Sequence, residues 1–228
     1  MKASPGARSW IAAGVRHEVL TRALPALRHD MSAPVSVMRM GLLMLKRQVA
    51  APTVDAVACQ ERVALIDSQI GELVSAVRSL RDWELSTNDD GILRSTLVTQ
   101  CVALMRPAFD LQGVQLEIGA GLEADAAGTD ETRWASGAAL RYLTLGALAF
   151  LLDSTPNLTA IHIDADGDAA LRLSAVAGEA EHIDAMAGAH RAPRKLAIDT
   201  VALQSLADDL GYTLALERDT VRLPLVAG

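Results

Sequence analysis

The sequence predicts an α+β protein: an antiparallel helical hairpin that associates as a dimeric four-helix bundle, followed by an α/β sandwich. Three observations predict it. Apolar residues recur every three or four positions from about residue 15 to residue 80. A polar, turn-rich stretch, Glu84-Leu85-Ser86-Thr87-Asn88-Asp89-Asp90-Gly91, then breaks the pattern. Beyond it, helical and alternating segments follow one another to the end of the sequence. The boundary divides the chain into a helical domain over residues 15–86 and an α+β domain over residues 92–228.

The first helix is expected from near Val15 to about Val49, with Leu20, Leu24, Leu27, Met31, Val35, Met38, Leu42 and Leu45 as its apolar stripe. Ala50-Ala51-Pro52 ends it, and a second helix starts near Thr53. There Val63, Ile66, Ile70, Leu73, Val77 and Leu80 alternate steps of three and four, an a/d seam. One hairpin covers such a seam on one side only, so two hairpins are expected to pair as a homodimer.

Past the boundary, residues 93–110 read as a helix and 113–118 as a short strand. Residues 131–152 form an Ala/Leu-rich helix, apolar all round late on and therefore buried. Residues 160–164 and 169–175 are strands joined across Asp166-Gly167-Asp168. A helix over 198–210 ends at Gly211, and residues 213–217 and 220–225 close the chain as a hairpin. The expectation is a mixed sheet with helices over one face.

Half of the 228 residues are apolar and 21% are charged, which gives a sizeable core and excludes disorder. Aromatics make up only 3%, so the core rests on Ala, Leu, Val, Ile and Met, and a base-stacking surface for single-stranded nucleic acid is not expected. A net charge of −7 argues against broad binding to nucleic acid or to anionic membranes. Cys59 and Cys101 fall in apolar helical patterns without a CxxC, as buried free thiols of a reducing compartment would. The stretch from Met1 to Gly14 has Lys2 and Arg8 but no continuous apolar run, so no secretory signal is expected. The longest apolar stretch, residues 143–152, is about half of what a bilayer span needs. A cytoplasmic protein is expected.

The chemistry concentrates in His29-Asp30-Met31-Ser32-Ala33-Pro34-Val35. Leu24, Leu27 and Met31 are expected to point inward, and His29 lies ~200° around the helix from Leu27, toward solvent. Pro34 in mid-helix removes a hydrogen bond and clashes with the preceding turn, at a cost of ~3 kcal/mol. An exposed imidazole beside a carboxylate can attack phosphorus while the acid holds the other ring nitrogen protonated. Phosphoryl transfer asks mainly for positioning and charge stabilisation, and a stiff helical mount suits it. A solvated surface His-Asp pair on a helix that tolerates its proline is the other reading of these residues.

His29-Asp30, then Pro34-Val35, Gly41-Leu42 and Leu45, resembles the H-box of histidine kinase dimerisation domains, and equally that of histidine phosphotransferases built as stripped-down kinases. The resemblance covers about residues 20–85, and the rest by architecture only. It implies that His29 is the phospho-acceptor, that Asp30 is its acid/base and orienting partner, and that the second domain is a histidine-kinase ATPase-like sandwich. That domain looks degenerate. The family's N-box Asn, which holds Mg²⁺, falls at Gly146 in Tyr142-Leu143-Thr144-Leu145-Gly146-Ala147. The adenine-binding Asp falls at Ala175 in Leu173-Ser174-Ala175-Val176-Ala177-Gly178, and Ala192-Pro193-Arg194-Lys195 stands in place of a Gly-rich lid.

Together these imply a phosphorelay protein that passes phosphoryl groups to and from response-regulator receiver domains, with an upstream hybrid histidine kinase as a further candidate partner. It would need no cofactor or metal of its own, the Mg²⁺ coming with the receiver. A non-catalytic kinase-fold interaction module and a divergent ATP-dependent kinase are the alternatives. The family's water-orienting Thr or Asn falls at Ala33, so little phosphatase activity is expected. Elsewhere, His162 and Asp164 share a strand face without a third metal ligand, and Asp164-Ala165-Asp166-Gly167-Asp168 reads as a turn rather than a calcium loop. Glu179, Glu181, His182 and Asp184 read as solvated surface, and Gly128-Thr129-Asp130-Glu131 as a loop with a helix cap.

Overall fold

The computed structural model describes residues 4–85, 91–122, 131–178 and 196–228. The linker residues 86–90, the loop residues 128–130, the acidic stretch from Glu179 to Asp184 and Ala192-Pro193-Arg194-Lys195 lie outside them. The protein is α+β, with five α-helices and two sheets among the described residues. Two compact units compose it: Leu24–Thr87, and Met1–Ala23 together with Asn88–Gly228.

Helix α1 (Pro5–Val49) begins ten residues before the predicted start near Val15. Ser4 opens it: its hydroxyl accepts from the Ala7 N–H at 3.3 Å, and Pro5 follows where a missing N–H costs nothing. The predicted second helix is α2 (Ala56–Ser79), started by Asp55, whose carboxylate accepts from the Val57 and Ala58 N–H groups.

In the larger unit the five-stranded sheet runs in the order β2 (Gln115–Ile118), β4 (Leu158–Ala165), β5 (Ala170–Ala177), β7 (Thr220–Pro224) and β6 (Ala215–Leu216). The β2–β4 pair is parallel and the others are antiparallel, so the sheet is mixed as the sequence predicts. Alternation sorts its two faces. Leu116, Ile161, Ile163, Leu171, Leu173, Val221 and Leu223 are buried on one. Glu117, Asp164, Arg172 and Arg222 are exposed on the other. Helices α3 (Arg94–Asp110), α4 (Gly137–Ser154) and α5 (Thr200–Leu210) form the layer over the buried face. A small pair, β1 (Ile92–Leu93) with β3 (Arg133–Trp134), takes residues that the sequence pattern assigns to the start of α4.

Every residue of α4 from Gly137 to Leu151 is buried. The sheet lies beneath it, with α3 and α5 alongside. The first part of α1 belongs to this unit, and its ion pairs place it against α4 and α5. It turns a stripe of small residues inward: Ala12, Val15, Val19 and Ala23, all buried. That stripe is why the compact units part at Ala23/Leu24 rather than at the start of the helix.

Cys101, on α3, is fully buried, and burial pushes its thiol up to about 12 against a weaker pull downward from the Arg141 guanidinium. Cys59, on α2, is half-buried. At pH 8 iodoacetamide should alkylate Cys59 in the folded protein and leave Cys101 untouched until denaturant is added, which peptide mass mapping would read.

Candidate functional site

His29 sits in mid-helix in α1, with its side chain 79% exposed. The solvent-facing placement predicted from helical spacing is the one observed. Asp30 is 63% exposed, and its Oδ1 lies 3.6 Å from His29 Nδ1. That separation is longer than a hydrogen bond, so Asp30 stands as a charge neighbour. The nearer ring nitrogen is Nδ1, which leaves Nε2 as the atom free to meet a partner. Of the three residues predicted to face inward, Leu27 is buried and Met31 partly so, while Leu24 is half exposed.

The helix is continuous through two prolines, Pro25 and Pro34. Pro34 has no N–H for the Asp30 carbonyl and Pro25 none for the Thr21 carbonyl. Hydroxyls crowd the same turns. Ser32 Oγ donates to the His29 carbonyl at 3.2 Å, Ser36 Oγ to the Ser32 carbonyl at 3.1 Å, and Thr21 Oγ1 to the His17 carbonyl at 2.9 Å. The Ser32 hydroxyl is therefore engaged with backbone. Ala33, one turn on from His29, presents a methyl group only.

Within the same unit, α1 and α2 meet at Gly41. A Cβ there would lie 3.2 Å from Ile66 Cγ1, so the absent side chain is what lets the two helices approach. An open apolar hollow of about 310 Å³ follows, lined by Val37, Met40, Met44 and Leu65. The predicted seam is not covered within one chain: Val63 is 54% exposed, Ile70 46% and Val77 51%, and α2 has no buried residue.

In the α+β unit, the positions that the kinase resemblance marks for nucleotide are packed or paired. A Cβ on Gly146 would lie 3.1 Å from Leu206 Cδ2 and 3.2 Å from Leu203 Cδ1 of α5. Ala175 lies inside strand β5, opposite Ile161, rather than in a loop after a strand. On the open sheet face His162 Nδ1 lies 3.0 Å from Glu117 Oε2, both half-exposed. Asp166, in the β4–β5 turn, accepts from Arg172 at 2.8 Å and from Arg222. The Arg222 hydrogen bond foremost, with the charge of both arginines, holds its carboxyl below the usual range. Among the described residues no cluster of three or more His, Cys, Asp or Glu could hold a metal.

Three residues of the α+β unit that meet in a buried cluster, Glu18, Arg22 and Asp153, carry no sequence signal of their pairing. Spacing shows Glu18 and Arg22 only as a helical (i, i+4) pair, usually a surface feature, and Asp153 lies 131 residues from Arg22.

Neither a protein-family model nor a curated protein matches the chain. No helix among the described residues is long and apolar enough to cross a membrane.

The close contact at Gly146 makes a quantitative expectation. Gly146→Asn adds a buried amide against Leu203 and Leu206 and should lower unfolding free energy by about 2–3 kcal/mol, measured by urea titration. A neutral or stabilising result would mean that α5 can move aside to admit a polar group there.

Proposed function

We propose that the chain is a histidine phosphotransfer protein of a two-component phosphorelay, with His29 as phospho-acceptor and Asp30 as its acid/base and orienting neighbour. The observation that carries the reading is the presentation of His29: far out in water on a helix, with Nδ1 toward a carboxylate and Nε2 free. In this reading Nε2 attacks the phosphorus of a receiver domain's aspartyl phosphate. The P–N bond forms as the P–O bond to the aspartyl carboxylate breaks, and that carboxylate leaves with the bonding pair. The ring keeps its Nδ1 proton, and the positive charge it gains develops beside Asp30. The receiver supplies its own Mg²⁺, so the chain contributes a positioned nucleophile and one charge.

The α+β unit, on this reading, is a histidine-kinase-like ATP-binding domain that no longer binds ATP. Its support is the packing of Gly146 against α5 and the placing of Ala175 within a strand. Ala33 presents only a methyl group one turn on from His29, and the Ser32 proton is committed to the His29 carbonyl, which supports weak orientation of a hydrolytic water. The protein would therefore relay phosphoryl groups among cytoplasmic receiver domains, and from an upstream hybrid kinase, with little net hydrolysis.

Incubation with a phosphorylated receiver should move label onto the wild type and none onto His29→Gln, with little free phosphate from either protein. Label arriving from Mg-ATP alone would put the divergent-kinase alternative in its place. Receiver binding without any label on His29 would favour the non-catalytic module.

We propose further that the chain is a homodimer through its hairpins. Val63, Ile70 and Val77 form a row of half-exposed apolar side chains at a/d spacing along α2, a surface that a partner hairpin would cover. Ile70→Asp should weaken dimerisation by on the order of a hundredfold, read by sedimentation. A wild type that sediments as a monomer at micromolar concentration would overturn the dimer.

A further inference from the structure

The hairpin unit holds one feature that neither the chemistry proposed for His29 nor the α2 seam uses. The hollow between α1 and α2 has a volume of about 310 Å³, and Gly41 lines it without a side chain. Its other walls are mostly apolar: Val37, Met40 and Met44 from α1, and Leu65 from α2. Both methionines are open to water, Met40 at 61% exposure and Met44 at 39%. A concave site of ~300 Å³ or more with apolar walls and a few polar groups is the usual form of a small-molecule site. Methionine thioethers adapt readily to a flexible guest.

The one charged residue that lines the hollow is Arg62. Its Nε is shut off from water and has no hydrogen-bond partner, and among the described residues Arg62 forms no ion pair. Arg22, Arg172 and Arg222 each meet a carboxylate. A guanidinium keeps its charge, and buried polar groups are nearly always paired, so what Arg62 lacks is an acceptor. Ser36 lines the same hollow, but its hydroxyl proton goes to the Ser32 carbonyl. The seam of the hairpin dimer faces elsewhere: Arg62 and Leu65 stand about 100° and 160° around α2 from Val63, in the same direction.

We propose that this hollow binds a small amphipathic carboxylate of the medium-chain fatty acid type, its chain against Val37, Met40, Met44 and Leu65 and its carboxylate accepting from Arg62. Burial of the chain supplies affinity, and the guanidinium selects the sign of the head group, since its donors match the two oxygens of a carboxylate. A neutral chain of the same length gains the first contribution only. A cationic one meets repulsion at Arg62. The proposal does not rest on the role given to His29.

The test titrates the full chain, carrying ¹³C-methyl methionine, with octanoate, 1-octanol and octylammonium in turn. Met40→Leu and Met44→Leu assign the two methyl signals. Octanoate should shift both saturably and leave the signal of Met105, buried in α3, in place. Octanol should bind more weakly by on the order of tenfold, and octylammonium should not saturate. Arg62→Met keeps the apolar stem and removes the charge, so it should bring octanoate down to the level of octanol without moving the thermal midpoint. Equal affinity of the wild type for octanoate and octanol would overturn the proposal, and that comparison needs no variant. So would methyl signals that octanoate fails to shift. If those silent signals are also shielded from a soluble paramagnetic probe, a protein surface, from a second copy or another partner, occupies the hollow instead.

Discussion

The larger unit depends on one constraint: α4 is apolar on all sides and must be covered on all sides. Fifteen consecutive residues, Gly137 to Leu151, are out of water. A single sheet face cannot achieve that. The helix needs β4, β5 and β7 beneath, α3 and α5 beside it, and the first part of α1 in addition. Close packing then dictates residue size. Glycine at 146 lets Leu203 and Leu206 of α5 come to within 3.2 Å of where a side chain would start, and alanines line the inward stripe of α1. Two of the polar side chains that remain inside are satisfied locally. Thr144 donates to the Leu140 carbonyl at 2.8 Å, and Arg141 donates to the side-chain oxygen Oε1 of Gln100 through Nε at 3.2 Å and Nη2 at 3.1 Å.

The same constraint draws charge inside. Anchoring α1 against α4 buries Arg22, and an unpaired buried guanidinium would be costly. Burial pushes its proton affinity down, but the hydrogen bonds and charges of Asp153 and Glu18 outweigh that and hold it above its ordinary value. Removing one member of such a cluster costs about 3–5 kcal/mol, because the others are left buried without a partner. The cluster therefore fixes the register of α1 on the unit more sharply than the small Ala and Val contacts could alone.

How much of this was legible in the sequence follows from which signals are local. Residues 93–110, 198–210 and the strands around Asp166-Gly167-Asp168 are readable because each carries its own period and its own cap or turn, and each lies within two or three residues of the observed element. The first ten residues of α1 are not, because Gly6, Ala12 and Gly14 give a weak apolar period and the inward stripe is made of small side chains. The signal that marks them is the Ser4-Pro5 start. The β1–β3 pair escapes any period, being two residues long on each side. His29 and Asp30 are legible as an exposed pair because helical angle alone sets their direction. The Arg22 cluster is not, since its decisive partner is far away in sequence and only the fold brings it close.

The exposure of His29 and Asp30 also says where the chemistry would have to be completed. At about 4 Å, two unit charges interact by ~1 kcal/mol in water and by ~4 kcal/mol at a protein-surface dielectric of 20. With both side chains mostly in water, Asp30 does little for a charge developing on the ring in the free protein. The pair gains strength only when a partner excludes water from both at once. On the phosphotransfer reading, docking of the receiver is thus itself a catalytic contribution: it brings the phosphoryl group and the metal, and it lowers the dielectric around Asp30. On that reading the nucleophile would be quiet toward solvent and active toward a surface that fits it. A small phosphodonor, which leaves Asp30 in water, would react through Nε2 without that help, whereas a docked receiver would draw on the full charge of the carboxylate.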